Sequence, residues 1–301
     1  MSLRSLHLTL ILLPLMVLLL CRAVPAESFE DDLGRTVEIA APPERIISLA
    51  PSITEILFAL GVERRVAGVT LFSDYPEEAK SKPVVGSYVN INLEQILSLS
   101  ADLVIATSDG NPKSSIERLI SMGIPVYVIA PPRSIDDIQQ TIVAIGKVTG
   151  SEGEARKLVG AMAKRVETVR SRLEGAPPRS VFYQLARNPL LTVGSGTVID
   201  SLITSAGGRN IAGDVSLSYP RFSREGVLAA APEVIIISSM ADRGESKAAL
   251  AEWSEWNEIP AVTGGYLYFI NPDLVHRAGP RIVEGLEELA AMIHPERFPR
   301  D

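Results

Sequence analysis

The sequence predicts an α/β protein in which two similar lobes are joined by a single long α-helix and face each other across a ligand cleft. Three observations predict this class. A sequence unit occurs twice, short apolar runs alternate with amphipathic stretches, and one long amphipathic stretch lies between the two copies. The length of 301 residues is sufficient for two domains with hydrophobic cores of their own.

The repeated unit covers residues 92–107 and returns, shifted by 131 positions, at residues 223–238. Each copy carries an apolar stripe at helical spacing that leads into a short apolar run typical of a buried parallel strand. Glu94 aligns with Glu225, and a tyrosine stands six positions before each of them. Packing alone does not require this shared spacing, so we interpret the copies as related Rossmann-like α/β lobes. A chance likeness between two helix–turn–strand units is the alternative.

Residues 1–26 are predicted to be a signal peptide that is removed from the mature protein. Arg4 precedes an apolar run at residues 8–20, and small residues at 24–26 suit a signal peptidase. The apolar run is short for a membrane span. An uncleaved anchor is one alternative. A lipid anchor at Cys21 is another, less favoured because the residue before that cysteine is a large leucine.

The composition of the full chain argues against some classes of partner and of stabilising bond. The 36 acidic and 29 basic residues give a net charge of −7, which argues against nucleic acid as a partner. The one cysteine lies within the predicted signal peptide, so no disulfide is expected and the apolar core must stabilise the fold.

The N-terminal α/β lobe is predicted to span residues 27–150. Ser52 and Glu55 have the spacing of a helix capping box directly after a buried strand. A helix that begins at the carboxyl end of a strand is where open α/β sheets bind ligands. The other expected elements are an edge strand at 30–39, strands at 45–50, 66–69, 84–85 and 125–129, and helices at 116–122 and 134–148.

The linker helix is predicted within residues 151–175. Ser151 and Glu154 form a second capping-box pattern, and the apolar residues that follow recur at intervals of three and four up to Leu173. A helix over 152–173 would be about 33 Å long, the width of a small domain. We interpret it as a stiff connector between the lobes. The alternative is a surface helix of the first lobe.

The C-terminal α/β lobe is predicted to span residues 176–301. Besides the second repeat copy, the expected elements are strands at 181–185, 191–193 and 266–270 and helices at 198–205 and 281–293. Trp253 and Trp256 lie on an acidic helix and are interpreted as packing residues rather than a ligand cage.

No motif for catalysis, metal binding or cofactor binding is complete. The chain lacks a P-loop, a His-Glu-x-x-His zinc motif and a Gly-x-Ser-x-Gly nucleophile motif, and the only histidines after residue 26 are His276 and His294. We therefore predict no catalytic residue, no metal site and no resident cofactor. One enzymatic alternative stays open, a secreted serine hydrolase with Ser52 or Ser195 as nucleophile and His276 as base.

Several motifs, taken in order, resemble those of the periplasmic binding proteins of ABC importers, in the helix-linked class that carries cobalamin, siderophores and haem. They lie at 45–55, 73–76, 92–94, 102–105, 222–225 and 277–281. The resemblance covers nearly the whole mature chain and is greatest to the cobalamin-binding branch. It implies a monomeric, non-enzymatic receptor that captures a corrinoid in the periplasm and delivers it to an inner-membrane ABC transporter.

The resemblance also implies roles for individual residues. In this family a glutamate of each lobe docks against arginines of the permease dimer, and the matching positions are Glu94 and Glu225. Cobalamin binders line the cleft with aromatic rings, and the matching positions are Phe72, Tyr88 and Tyr219.

One position departs from the cobalamin pattern, because Thr107 stands where a tryptophan is expected. Haem or a ferric siderophore therefore stays open as the ligand. Arg221 and Arg277 are candidate partners for an anionic ligand. His276 follows a strand and a loop and is a candidate to face the cleft.

Overall fold

The fold is described from a computed structural model that covers residues 26–40, 42–238 and 243–299. The predicted signal peptide up to residue 25, including Cys21, lies outside the described residues. Within the described ranges, no helix is both long enough and apolar enough to cross a membrane.

The N-terminal lobe is a parallel sheet with helices around it, preceded by the antiparallel hairpin of β1 (Ala26–Glu30) and β2 (Thr36–Ala40). The strand order is β4-β3-β5-β6, formed by β3 (Ile46–Ser48), β4 (Val66–Gly68), β5 (Leu103–Thr107) and β6 (Val126–Ile129). Its helices are α1 (Pro51–Ala59), α2 (Leu93–Ser98), α3 (Lys113–Ser121) and α4 (Ile135–Val148). Strand β5 is buried along its whole length, as its unbroken apolar sequence predicts.

A single helix, α5 (Glu152–Arg172), connects the lobes. It packs against α4 of the first lobe and against α11 (Ile282–Ile293) of the second. Its fully buried residues Ala155, Met162 and Val169 recur every seven positions, so one face of the helix belongs to an apolar core that both lobes share. The predicted connector is confirmed. Its predicted capping box is wrong, because the Ser151 side chain makes no cap hydrogen bond and instead lies 2.7 Å from the Thr149 hydroxyl.

The C-terminal lobe has the parallel strand order β8-β7-β9-β10, formed by β7 (Arg179–Gln184), β8 (Gly208–Asn210), β9 (Val234–Ile237) and β10 (Leu267–Phe269). Besides α11, its helices are α6 (Val198–Ser205), α7 (Arg224–Ala230), α8 (Arg243–Trp253), α9 (Pro260–Thr263) and α10 (Pro272–Val275). Trp253 is buried and its ring nitrogen donates to the Gln184 side chain at 2.6 Å. Its interpretation as a packing residue is confirmed.

The two lobes repeat each other in structure as well as in sequence. Both sheets place the first strand between the second and the third, with the fourth beyond the third. Helices α2 and α7 begin at equivalent caps, where the Asn92 side chain accepts from the Gln95 N–H and the Ser223 side chain accepts from the Gly226 N–H. The repeat therefore predicted the two-lobe architecture correctly.

Two predicted strands are wrong, because residues 84–85 and 191–193 form only isolated bridges. Val84 pairs with Val69, and the chain then turns at Gly86, whose φ of +106° suits only glycine. A side chain at Gly86 would also place its Cβ 2.3 Å from the Asn90 carbonyl oxygen. The turn ends the pairing before a regular strand can form.

Candidate functional site

The candidate site lies where loops at the carboxyl ends of the strands of the two lobes approach each other. Tyr88 belongs to the first lobe and Tyr219 to the second, and the Tyr219 phenol contributes slightly to raising the pKa of Tyr88. Burial, together with the Asp109 carboxylate, raises the pKa of Tyr88 well above its usual range. The Tyr88 phenol is thus neutral at physiological pH and donates a hydrogen bond.

In the first lobe, hydrogen bonds join a group of side chains at the end of β5 and in the loop that follows it. The Tyr88 hydroxyl donates to Asp109 Oδ1 at 2.7 Å, and the Thr107 hydroxyl donates to the same oxygen. The Tyr88 ring lies directly on Gly110, where an added Cβ would come within 1.7 Å of ring carbon Cε1. Only glycine at that position allows this placement of the ring.

Asn111 fixes this group to the sheet and is a residue that the sequence did not single out. Its side chain is 6% exposed, donates to the carbonyl oxygens of Leu49 and Tyr88 at 2.9 Å each, and accepts from the Thr107 N–H at 2.9 Å. One amide thus holds together the ends of β3 and β5 and the segment that carries Tyr88. The sequence Asp-Gly-Asn-Pro at residues 109–112 is typical of a loop and does not indicate this role of the asparagine.

Phe72 projects from a loop that buried hydroxyls support. The ring is 61% exposed, whereas Ser73 next to it is buried. The Ser73 hydroxyl accepts from Thr54 Oγ1 at 2.9 Å and lies 3.0 Å from Thr70 Oγ1. These bonds fix the base of the loop and leave its aromatic ring free to contact a ligand.

The face of the second lobe carries Tyr219, which is 55% exposed. Its segment is held in place because the Thr192 N–H donates to the Pro220 carbonyl and the Gly194 N–H donates to the Ser218 carbonyl. Arg221 follows the buried Pro220, is itself exposed, and its backbone forms an isolated bridge with Leu191. Among the described residues Arg221 has no ion-pair partner.

His276 lies beneath the surface of the second lobe instead of in the open cleft. Its Nε2 is 3.1 Å from the Tyr183 hydroxyl and 3.1 Å from the Ser238 hydroxyl. Burial lowers the pKa of His276 to about 4, so the ring is neutral at physiological pH. These contacts favour a structural role for His276 over ligand contact.

The buried imidazole gives a testable pH dependence. Between the unfolded pKa of 6.5 and the folded pKa of about 4, the unfolded chain binds a proton that the folded protein excludes. The free energy of unfolding is therefore expected to fall by about 1 to 2 kcal/mol as the pH drops from about 7 to 5. Urea unfolding of wild type and His276→Gln at several pH values measures this, and equal pH slopes in the two proteins would contradict it.

Arg277 is neutralised inside the protein. Its guanidinium nitrogens lie 2.6 Å from Asp74, 3.0 Å from Asp273 and 3.4 Å from Glu55. The Arg277 side chain is only 11% exposed. This engagement favours a role in holding the lobes over contact with an anionic ligand.

Glu55 is the centre of the ion pairs that join the lobes. Its carboxylate, 3% exposed, accepts from Arg281 at 2.6 and 2.9 Å and also from Arg277. The predicted capping box of Ser52 and Glu55 is wrong, because helix α1 has no side-chain cap bond and Glu55 points to the other lobe. The Arg281 guanidinium also lies 3.8 Å from the centre of the Tyr75 ring.

Glu94 and Glu225 both lie exposed in the first turns of their capped helices. Beside Glu94 is a groove of about 740 Å³ whose apolar lining includes Leu71, Leu93 and Met122. The second lobe has a charged group in the corresponding region, where Arg224 pairs with Glu252. The two glutamates thus have equivalent helix positions but different surroundings.

The structure therefore groups Tyr88 and Thr107 around Asp109, exposes Phe72, Tyr219 and Arg221, and engages His276 and Arg277 in internal contacts. Within residues 26–40, 42–238 and 243–299, no group of three or more His, Cys, Asp or Glu side chains is placed to hold a metal ion.

This chain is similar to known periplasmic and substrate-binding proteins. A family model described as periplasmic binding protein matches residues 46–274. A relative from Bacillus subtilis (strain 168), the uncharacterized ABC transporter substrate-binding lipoprotein YvrC, is 32% identical over 277 residues, which are 90% of this chain and 86% of that protein.

Two solved structures with different ligands in their names match the fold equally well. The periplasmic vitamin B12 binding protein BtuF of Vibrio cholerae is 30% identical with a TM-score of 0.74, and the match covers 86% of this chain and 99% of BtuF. The periplasmic heme-binding protein RhuT from Roseiflexus sp. RS-1 is 28% identical with a TM-score of 0.74, and the match covers 84% and 99% of the two chains.

Proposed function

This chain belongs to the periplasmic binding protein family, and on that premise we propose that the molecule it captures between its lobes is a corrinoid such as cobalamin. As a solute-binding protein of an ABC importer, it binds a small molecule and delivers it to a membrane permease, and it is not an enzyme. The hydrolase alternative is wrong. His276 Nε2 contacts Tyr183 and Ser238, and the Ser195 hydroxyl donates to the Val215 carbonyl.

The observation that carries the proposal is the presence of aromatic rings on both lobes. Exposed Phe72 and half-buried Tyr88 belong to the first lobe, and exposed Tyr219 belongs to the second. Flat, largely apolar ring faces suit a corrin macrocycle, which stacks its own faces on aromatic side chains. The name of the similar BtuF structure supports a corrinoid, whereas the name of RhuT makes haem the second candidate.

Titration calorimetry of the purified protein tests the ligand. We expect one-to-one binding of cyanocobalamin that is at least about tenfold tighter than binding of haemin or a ferric hydroxamate, a difference of about 1.4 kcal/mol. Binding of haemin without binding of a corrinoid would overturn the corrinoid proposal and leave the family assignment intact.

The aromatic residues give a separate prediction. Tyr88→Ala and Tyr219→Ala are each expected to weaken cyanocobalamin binding by about 1 to 3 kcal/mol, because each removes one aromatic contact with the ring. Tyr266→Ala, which alters a tyrosine packed against the core of the second lobe, is the control and should leave affinity unchanged if the protein folds. Wild-type affinity in both cleft variants would exclude these rings from the binding surface.

We further propose that the protein acts in the periplasm as a monomer and docks on a permease dimer in the inner membrane. The family of periplasmic binding proteins supports this location. The name of the Bacillus relative includes the word lipoprotein, which keeps lipidation of Cys21 as the alternative to a cleaved signal peptide. Mass spectrometry of the exported protein separates the two, because a lipid anchor adds acyl chains to a chain that begins at Cys21, whereas cleavage before Glu27 leaves none.

A further inference from the structure

Asp109 is a carboxylate in the cleft that no sequence motif assigned to a role. It is exposed, and it follows β5 in the loop on which the Tyr88 ring lies. Its Oδ1 accepts hydrogen bonds from the hydroxyls of Tyr88 and Thr107. Asp109 is therefore held in place by the hydroxyls of a half-buried tyrosine and a buried threonine.

The other carboxylate oxygen is available to a ligand. Among the residues that the structure describes, Oδ2 of Asp109 has no hydrogen-bond partner, and Asp109 takes part in no ion pair. The two hydroxyls fix the orientation of the carboxylate, so its free oxygen is presented without the entropy loss of ordering a mobile side chain. The Tyr88 ring, whose hydroxyl contacts Asp109, offers an apolar face to a macrocycle at the same surface.

Chemistry limits what such an oxygen accepts. An ionised carboxylate is an acceptor only, so it binds N–H or O–H groups strongly. It repels a second carboxylate at the same place, because two like charges at contact distance disfavour each other. Corrin and porphyrin ligands differ in the groups at the edge of the ring. Amidated corrins carry amide N–H donors there, whereas haem carries propionate carboxylates.

We propose that Asp109 is a specificity-determining residue that accepts hydrogen bonds from amide groups at the edge of the macrocycle and excludes ligands that carry carboxylates there. The proposal rests on the proposed corrinoid function and extends it to a named chemical group.

The test compares two corrins that differ at their edge. Dicyanocobinamide carries amides, and dicyanocobyrinic acid carries carboxylic acids on the same ring. Wild type is expected to prefer the amide form, and Asp109→Asn is expected to reduce that preference about ten- to a hundredfold, the range for one charge-assisted hydrogen bond and one removed repulsion. Asp136→Asn, an equal charge change in the first turn of α4, is the matched control and should keep the wild-type preference.

The outcomes separate this inference from the proposed function. If wild type binds dicyanocobinamide and Asp109→Asn keeps the same preference, the role of Asp109 is overturned and the corrinoid function stands. If wild type binds haemin and neither corrin, both are overturned. Thermal melting of each variant shows that it is folded, and a folded Asp109→Asn protein with a reduced preference supports the inference.

Discussion

Glu55→Ala is expected to lower the free energy of unfolding by about 3 to 5 kcal/mol, because it leaves buried guanidinium groups without their shared carboxylate. Arg281 loses both of its hydrogen bonds to Glu55, while Arg277 keeps Asp74 and Asp273. The effect is large because the side chains of Glu55 and Arg281 are only 2% and 12% exposed. Urea unfolding measures the loss. A decrease below about 1 kcal/mol, the range of exposed pairs, would contradict the buried ion-pair assignment.

Two further variants show whether the unpaired charge causes the loss of stability in Glu55→Ala. Glu78→Ala, an exposed glutamate near the same junction of the lobes, should change stability by less than about 0.5 kcal/mol. The double variant Glu55→Met with Arg281→Met should recover much of the loss, because an apolar pair of similar size needs no desolvation of charge. A double variant as unstable as Glu55→Ala would show that packing, and not the unpaired charge, dominates.

The position of Glu55 also explains a limit of sequence reasoning. Residues 52 and 55 have the spacing of a capping box, which is a local signal. Its actual partners lie 222 and 226 positions away in the chain, and no local pattern indicates contacts at that separation. The same holds for Asn111, which binds the Leu49 carbonyl 62 positions away. Contacts between elements distant in sequence depend on how the lobes pack.

The architecture was more predictable because it depends on periodic signals. The apolar runs in β5 and β9 indicated buried parallel strands, and apolar residues at intervals of three and four along α5 indicated a packed connector. The internal repeat then related the lobes without any knowledge of their contacts. A strand was wrongly predicted at Val84, because two adjacent apolar residues suggest a strand even where a glycine turn follows at once.

Glu94 and Glu225, which we propose dock on the permease, give the second prediction with a large expected effect. The double variant Glu94→Ala with Glu225→Ala is expected to reduce ligand uptake to background while leaving ligand affinity unchanged. Both side chains are exposed in first turns of helices that precede the central strands β5 and β9. Such helices run antiparallel to the strand that follows, so their first turns lie at the edge of the sheet that faces the cleft opening. The glutamates are thus available to a permease on both lobes while the ligand is held between them.

Uptake of labelled ligand, in cells where this protein is the only receptor for the importer, measures docking, and calorimetry measures binding. Charge pairs at an interface fix register and speed encounter, and loss of one partner of a close pair costs about 2 to 5 kcal/mol of binding, so removal of both is enough to prevent productive docking. Glu154→Ala with Glu167→Ala removes the same charge from exposed positions of α5 and should leave uptake intact. If the double variant at residues 94 and 225 loses ligand affinity instead, the glutamates face the ligand. If it keeps wild-type uptake, the permease binds elsewhere, and the apolar groove beside Glu94 becomes the next surface to alter.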